Sequence, residues 1–134
     1  MARLVKDYMV KKKEIVDPQD AVISAIEVMV ENDVGSVLVV DKDEKLIGIF
    51  TERDLLRHCL ETQSKFLYMT VGEVMSSPVI SVTPDMKMAD ALDLMAEKDI
   101  RHVPVLDKDG RCVGYITWKN LFKQFSKHIK QAEL

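Results

Sequence analysis

The sequence predicts an α+β fold of α/β type, a tandem repeat in which two β–α–β–β–α units pack with pseudo-twofold symmetry. Two observations predict it. Sliding the 134-residue chain against itself by 66 positions overlays Val5–Arg57 on Val71–Lys123 without a gap, giving 16 identities in 53 positions, where chance gives about three. The identities include residues that punctuate structure: Pro18 with Pro84, Gly48 with Gly114, and Asp41-Lys42-Asp43 with Asp107-Lys108-Asp109. The second observation is that each copy runs through the same order of strand-like and helix-like apolar patterns.

Each copy opens on a short β-type stretch, Glu14–Val16 and Val79–Val82, that runs into Asp17-Pro18 or Thr83-Pro84. Proline's fixed φ suits a turn or a first helical position there. The helix that follows is marked by apolar residues at 3-1-3-1 spacing: Val22, Ala25, Ile26, Met29 and Val30 in one copy, Met88, Ala91, Leu92, Met95 and Ala96 in the other. One face of each helix must therefore be covered. Two β-branched runs come next, Ser36–Val40 and Leu46–Phe50, around the polar Asp41-Lys42-Asp43-Glu44. The second copy has His102–Leu106 and Cys112–Ile116 around Asp107-Lys108-Asp109-Gly110, so each pair reads as a hairpin. A second helix opens at Thr51 or Thr117. The last one runs from about Asn120 towards Ile129 with Leu121, Phe122, Phe125 and Ile129 on one side, and should pack on its own domain or on another subunit. The stretch from Leu60 to Thr70 has no glycine or proline, which suits a helix end plus a packed connector rather than a tether. A unit of roughly 60 residues leaves its faces half covered, so two packed units form one module over 1–134, with repeats at 5–62 and 71–130.

Composition narrows the function. With 19 Lys+Arg against 22 Asp+Glu, spread along the chain, there is no basic field for a nucleic-acid backbone. No run approaches the roughly 20 apolar residues of a membrane span, and the N-terminus lacks a signal-peptide core, so no membrane partner and a cytoplasmic location are expected. Cys59 and Cys112 lie far apart without metal or redox spacing and are expected to be small buried hydrophobes. The chain has no Ser/His/Asp set, paired-acid cleft, metal cluster or Gly-rich phosphate loop, so neither an enzyme nor a catalytic cofactor is expected.

The segment Gly48-x-x-Thr51-x-x-Asp54 carries chemistry of its own. Glycine lets a flat base approach the backbone, threonine and free amides at a helix N-terminus suit a phosphate, and a carboxylate three residues on accepts both hydroxyls of a ribose. The same Thr-x-x-Asp spacing also matches a capping box, and pattern alone leaves both readings open. In the second copy the acid is replaced by the neutral Asn120.

This order of elements resembles the CBS domain family over nearly the whole chain, a pair of copies forming a Bateman module. The resemblance is carried by Gly48-Ile49-Phe50-Thr51-Glu52-Arg53-Asp54 and Gly114-Tyr115-Ile116-Thr117-Trp118-Lys119-Asn120 closing the copies, by Met9 and Met75 ahead of the first strands, and by Arg101-His102-Val103-Pro104-Val105. It implies a regulatory module that binds AMP, ATP or S-adenosylmethionine in clefts between the repeats, forms a homodimer and signals to a separate effector protein. Ligand-free dimerisation or protein interaction is the alternative. In the first copy the resemblance places ligand contacts at Gly35, Ser36, Val37, Gly48, Ile49, Thr51 and Asp54. In the second it places them at Arg101, His102, Val103, Pro104, Tyr115, Thr117 and Asn120. Segments ahead of the opposite copy's first strand, Ser76-Ser77-Pro78 and Lys11-Lys12-Lys13, are expected to line the clefts. The two clefts should be chemically unequal, since Gly35-Ser36 carries no charge where Arg101-His102 offers a fork of donors. Trp118 could shield a base or pack at a dimer interface, the latter being favoured.

Overall fold

The computed structural model describes residues 3–11 and 13–133, with Ser64 and Glu133 described through their backbone alone. It divides into two compact units, one holding residues 13–79 and the other joining the residues before 13 to those from 80 onward. The leading segment of each repeat therefore belongs with the body of the other.

The contiguous unit runs β1 (Ile15–Val16), α1 (Val22–Asn32), β2 (Ser36–Val40), β3 (Leu46–Thr51), α2 (Glu52–Thr62), a 3-10 turn (Gln63–Tyr68) and α3 (Val71–Val74). Strand β1 is parallel to β2, with Ile15 opposite Leu38, and β2 is antiparallel to β3, with Ser36 opposite Thr51. The helix α1 lays Val22, Ala25 and Met29 on Val37, Val39 and Phe50, and Phe66, Val71 and Val74 close the core from the connector side. Phe66 packs with its ring 6.2 Å from that of Phe50, so the connector is packed as expected. The buried face of α1 is narrower than its stripe: Val30 is 74% exposed. The helix stops where Asp33 adopts φ 51° and its amide donates to the carbonyls of Met29 and Val30, a left-handed cap that aspartate tolerates better than most residues.

The repeated Asp-Lys-Asp has a local cause. Asp41 Oδ1 accepts from the amides of Asp43 and Lys45 at 2.8 and 3.0 Å, and Asp107 Oδ1 does the same for Asp109 and Arg111 at 2.9 Å each. The side chain thus imitates a turn of backbone. The following position needs positive φ, which Gly110 (80°) adopts freely and Glu44 (63°) adopts against its Cβ.

The second unit contains a 3-10 turn (Val5–Asp7), α4 (Met88–Lys98), β4 (His102–Leu106), β5 (Cys112–Thr117) and α5 (Trp118–Glu133). The β-type stretch expected at Val79–Val82 is reduced to one parallel bridge from Val82 to Val105, beside the two-stranded β4–β5 sheet. Met88, Ala91 and Met95 of α4 pack with Val5, Val82, Val103, Val105, Ile116 and Leu121, while Leu92 and Ala96 are exposed. The apolar side of α5 is divided. Leu121 and Phe125 face the core, Phe125 edge-on to Tyr8 at 6.3 Å, whereas Phe122 and Ile129 are exposed and Trp118 is half exposed with its ring 5.0 Å from Phe122. The cysteines also depart from expectation. Cys59 lies on the outer face of α2 beside exposed Leu56 and Leu60, and Cys112 is only half-buried.

Candidate functional site

The junction of β3 with α2 concentrates the chemistry of the contiguous unit. Thr51 ends the strand in extended backbone and caps α2: its Oγ1 accepts from the Asp54 amide at 3.2 Å, and Asp54 Oδ2 accepts from the Thr51 amide at 3.0 Å and from Thr51 Oγ1 at 3.1 Å. Of the two readings left open by the Thr-x-x-Asp spacing, the capping box is fully formed. Asp54 is nonetheless an unusual cap, because it is 3% exposed and its second oxygen is also engaged. Oδ1 accepts from Ser76 Oγ at 2.7 Å. A buried carboxylate persists only when donors replace its lost water, and here three protein donors do so.

Ser76 reaches Asp54 because the segment after α3 runs as an edge against β3. The amides and carbonyls of Ile49 and Ser76 bond one another at 3.1 and 2.8 Å, and Ser77 Oγ donates to the Ile47 carbonyl at 3.0 Å. Met75, one residue earlier, explains Gly48. A Cβ on Gly48 would stand 2.2 Å from Met75 Sδ, so the space a flat base was expected to use is filled by a thioether. The amides of the helix start are not free either: Glu52 donates to the Gly35 carbonyl at 3.0 Å and Asp54 to Thr51 Oγ1.

A cation joins this group from the residues just ahead of β1. The parallel register that sets Ile15 against Leu38 carries Lys13 to Ser36, whose buried hydroxyl accepts from Lys13 Nζ at 2.7 Å, as does the Ser36 carbonyl. Ser36 is itself the partner of Thr51 across the hairpin. Gly35-Ser36, read as uncharged, therefore sits under an ammonium supplied 23 residues earlier in the chain. The signal available in the sequence was the register: pairing β1 with β2 in parallel brings the residues just before β1 alongside the start of β2. Ser36, Gly48, Ile49, Thr51, Asp54 and Ser77 are thus brought into one neighbourhood, and Lys13 and Ser76 join them. Lys11 is exposed, Pro78 is exposed, and Lys12 lies outside the described residues.

The second unit repeats the frame with different atoms. Thr117 Oγ1 accepts from the Asn120 amide at 3.2 Å, and the Trp118 amide donates to the Arg101 carbonyl at 3.1 Å. Val10 stands where the first repeat has Ser76, exchanging two 2.9 Å backbone bonds with Tyr115, and Met9 covers Gly114. Arg101 is exposed and His102 half-buried opposite Thr117; Pro104 is buried and its carbonyl accepts from the Val82 amide at 3.1 Å. Val37 and Val103 turn their side chains away from the junction, leaving only their backbone on its side. Their side chains lie in the two cores, because alternation along β2 and β4 turns them to the helix-covered face. Among the described residues no group of three or more His, Cys, Asp or Glu could hold a metal ion, and no helix is long and apolar enough to cross a membrane.

Two β–α–β–β–α repeats, each completed by the segment that precedes the other's first strand, define a paired-repeat module. The CBS domain family model matches residues 5–61 and again 71–127, and the chain belongs to the CBS domain family. An uncharacterized protein of Methanopyrus kandleri is 32% identical over 106 residues, 79% of this chain and 54% of that protein, so the chain spans about half of that relative's length. Among solved structures, CBSX2 in complex with AMP is 29% identical with a TM-score of 0.80, covering 96% of this chain and 98% of that one. The CBS domain pair of protein MJ0100, in complex with 5'-methylthioadenosine and S-adenosyl-L-methionine, is 25% identical with a TM-score of 0.84, covering 96% and 99%.

Proposed function

We propose that this chain is a regulatory module, without catalysis of its own, that binds an adenosine-containing ligand at the β3–α2 junction of the first repeat. The observation that carries the proposal is the convergence of a buried carboxylate, two hydroxyls and an ammonium on one strand–helix junction: Asp54, Thr51, Ser36 and Lys13. The carboxylate suits ribose hydroxyls and the ammonium suits a phosphate. Relatives solved with AMP and with 5'-methylthioadenosine and S-adenosyl-L-methionine support the same class of ligand. Lys13 favours AMP or ATP over S-adenosylmethionine, whose sulfonium would meet a like charge. The module acts in the cytoplasm as a homodimer, for which Trp118, Phe122 and Ile129 of α5 supply apolar surface, and its ligand regulates a separate effector by binding one arrangement of the module better than another.

The test is a thermal-shift panel of AMP, ATP, S-adenosylmethionine, adenosine and GTP. Ligand at 100 times its Kd adds about 2.7 kcal/mol, which raises Tm by several degrees in a domain of this size. Silence of every adenosine compound at millimolar concentration would leave a dimerisation scaffold, the reading that the exposed Trp118–Phe122 pair favours. Lys13→Met is expected to weaken AMP about tenfold while leaving adenosine within about twofold, measured by calorimetry, because it removes one charge-assisted partner of the phosphate. Equal losses for both ligands would assign Lys13 to holding Ser36 alone.

A further inference from the structure

We infer that Ser76 is a latch on the ligand-binding carboxylate: its hydroxyl holds the Asp54 oxygen that a ribose must take, so Ser76 sets the affinity of the first repeat's site. The inference rests on the adenosine reading above and deepens it.

The argument is one of acceptor capacity. A carboxylate offers two oxygens with about two acceptor positions each. Both positions of Oδ2 are filled by the Thr51 amide and hydroxyl, and Oδ1 is held by Ser76 Oγ at 2.7 Å, the shortest of the Asp54 bonds. One position is left on a group that is 3% exposed. A vicinal diol donates two hydrogen bonds, so it cannot be received until one donor leaves. The Thr51 donors belong to the cap of α2 and are fixed by the helix start. Ser76 comes from a separate segment, 22 residues on, and is the donor that a ligand displaces most cheaply.

Displacement has a destination. Ser76 lies three residues before Val79, the last residue of its unit, and the chain passes directly into the other unit at Ile80. Two backbone bonds to Ile49 and the Ser77 bond to Ile47 hold that edge on β3, so the Ser76 hydroxyl can turn away while its backbone stays in place. The second repeat has no counterpart, since Val10 replaces the serine and Asn120 the aspartate. The latch is confined to one site, which makes that site the responsive one of the two.

Calorimetric titration of adenosine and 2',3'-dideoxyadenosine into the full chain and its Ser76→Ala and Ser76→Thr variants tests this. Adenosine has no phosphate, which isolates the diol from Lys13. Ser76→Ala is expected to bind adenosine about tenfold more tightly, with dideoxyadenosine unchanged, and Ser76→Thr to keep wild-type affinity. Binding by Ser76→Ala where the wild type shows none supports the latch in its strongest form. Unchanged affinity, or an equal gain for both nucleosides, overturns the latch and leaves the adenosine site standing; weaker binding by Ser76→Ala makes Ser76 a positioning residue and overturns it as well. If neither the wild type nor any variant binds adenosine or AMP, the adenosine reading itself falls, and the latch with it.

Discussion

Asp54→Ala is expected to lower stability by about 2–4 kcal/mol in urea unfolding and to weaken AMP about 10- to 100-fold in calorimetry. The first effect follows from burial. Removing the carboxylate leaves the Thr51 amide and Ser76 hydroxyl facing a space that, at 3% exposure, admits little water. It also opens half of the capping box, whose other half, the Asp54 amide on Thr51 Oγ1, survives any side-chain change. The second effect is the loss of charge-assisted hydrogen bonding to the ribose, for which a net contribution of about 1.5–3 kcal/mol matches the expected fall in affinity. Asp54→Asn separates the two. It keeps the shape and one acceptor, so most of the stability should return while affinity stays low. A large loss of stability with unchanged AMP affinity would reduce Asp54 to a cap.

Gly48→Ala is expected to cost about 1–3 kcal/mol and to shift the edge that carries Ser76. The new Cβ would meet Met75 at Sδ (2.2 Å), Cγ (2.8 Å) and Cβ (3.2 Å); turning the side chain about χ1 can relieve the first two, but the Cβ contact stays fixed to the backbone. Met75→Ala should make the alanine tolerable. The double-mutant cycle is then expected to show a coupling of about 1–2 kcal/mol between the two positions. Strict additivity would mean that Met75 does not occupy the room Gly48 leaves. The same cycle reports on the site, because Met75 precedes Ser76, and an edge displaced from Asp54 should release the Ser76 hydroxyl and tighten adenosine binding.

The local elements were the legible part of this protein. The boundaries of β2 and β4 follow from β-branched runs bounded by Asp41 and Asp107, whose side chains build the turns from residues two and four positions on. The helices follow from apolar spacing, but spacing does not report how wide a face the neighbour covers, and Val30, Leu92 and Phe122 sit at the margins. Site chemistry was legible only to the level of residue type. Thr51 and Asp54 announce either a cap or a ribose partner, and the capping geometry is realised through contacts three residues apart that any pattern contains. What joins them is long-range. Lys13 belongs to a run of three lysines expected at the cleft of the opposite copy, and the parallel register delivers it instead to Ser36 of its own copy. Met75 and Ser76 reach Gly48 and Asp54 through backbone bonds that carry no side-chain signature, so the resemblance could place that segment beside the opposite copy without naming its atoms.

The exchange of leading segments also orders the birth of the protein. Residues 13–79 form a contiguous unit, so every partner it needs has been synthesised by the time Val79 leaves the ribosome. The other unit must wait. Its opening residues, among them Val5 in the core and Val10 on β5, have their partners at the far end of the chain, and the bond from Gln124 to Tyr8 spans 116 residues. Closing that distance demands more loop entropy than any step in the first unit. A ribosome stalled once Val79 has emerged would thus hold one finished half and an N-terminal segment still without its sheet.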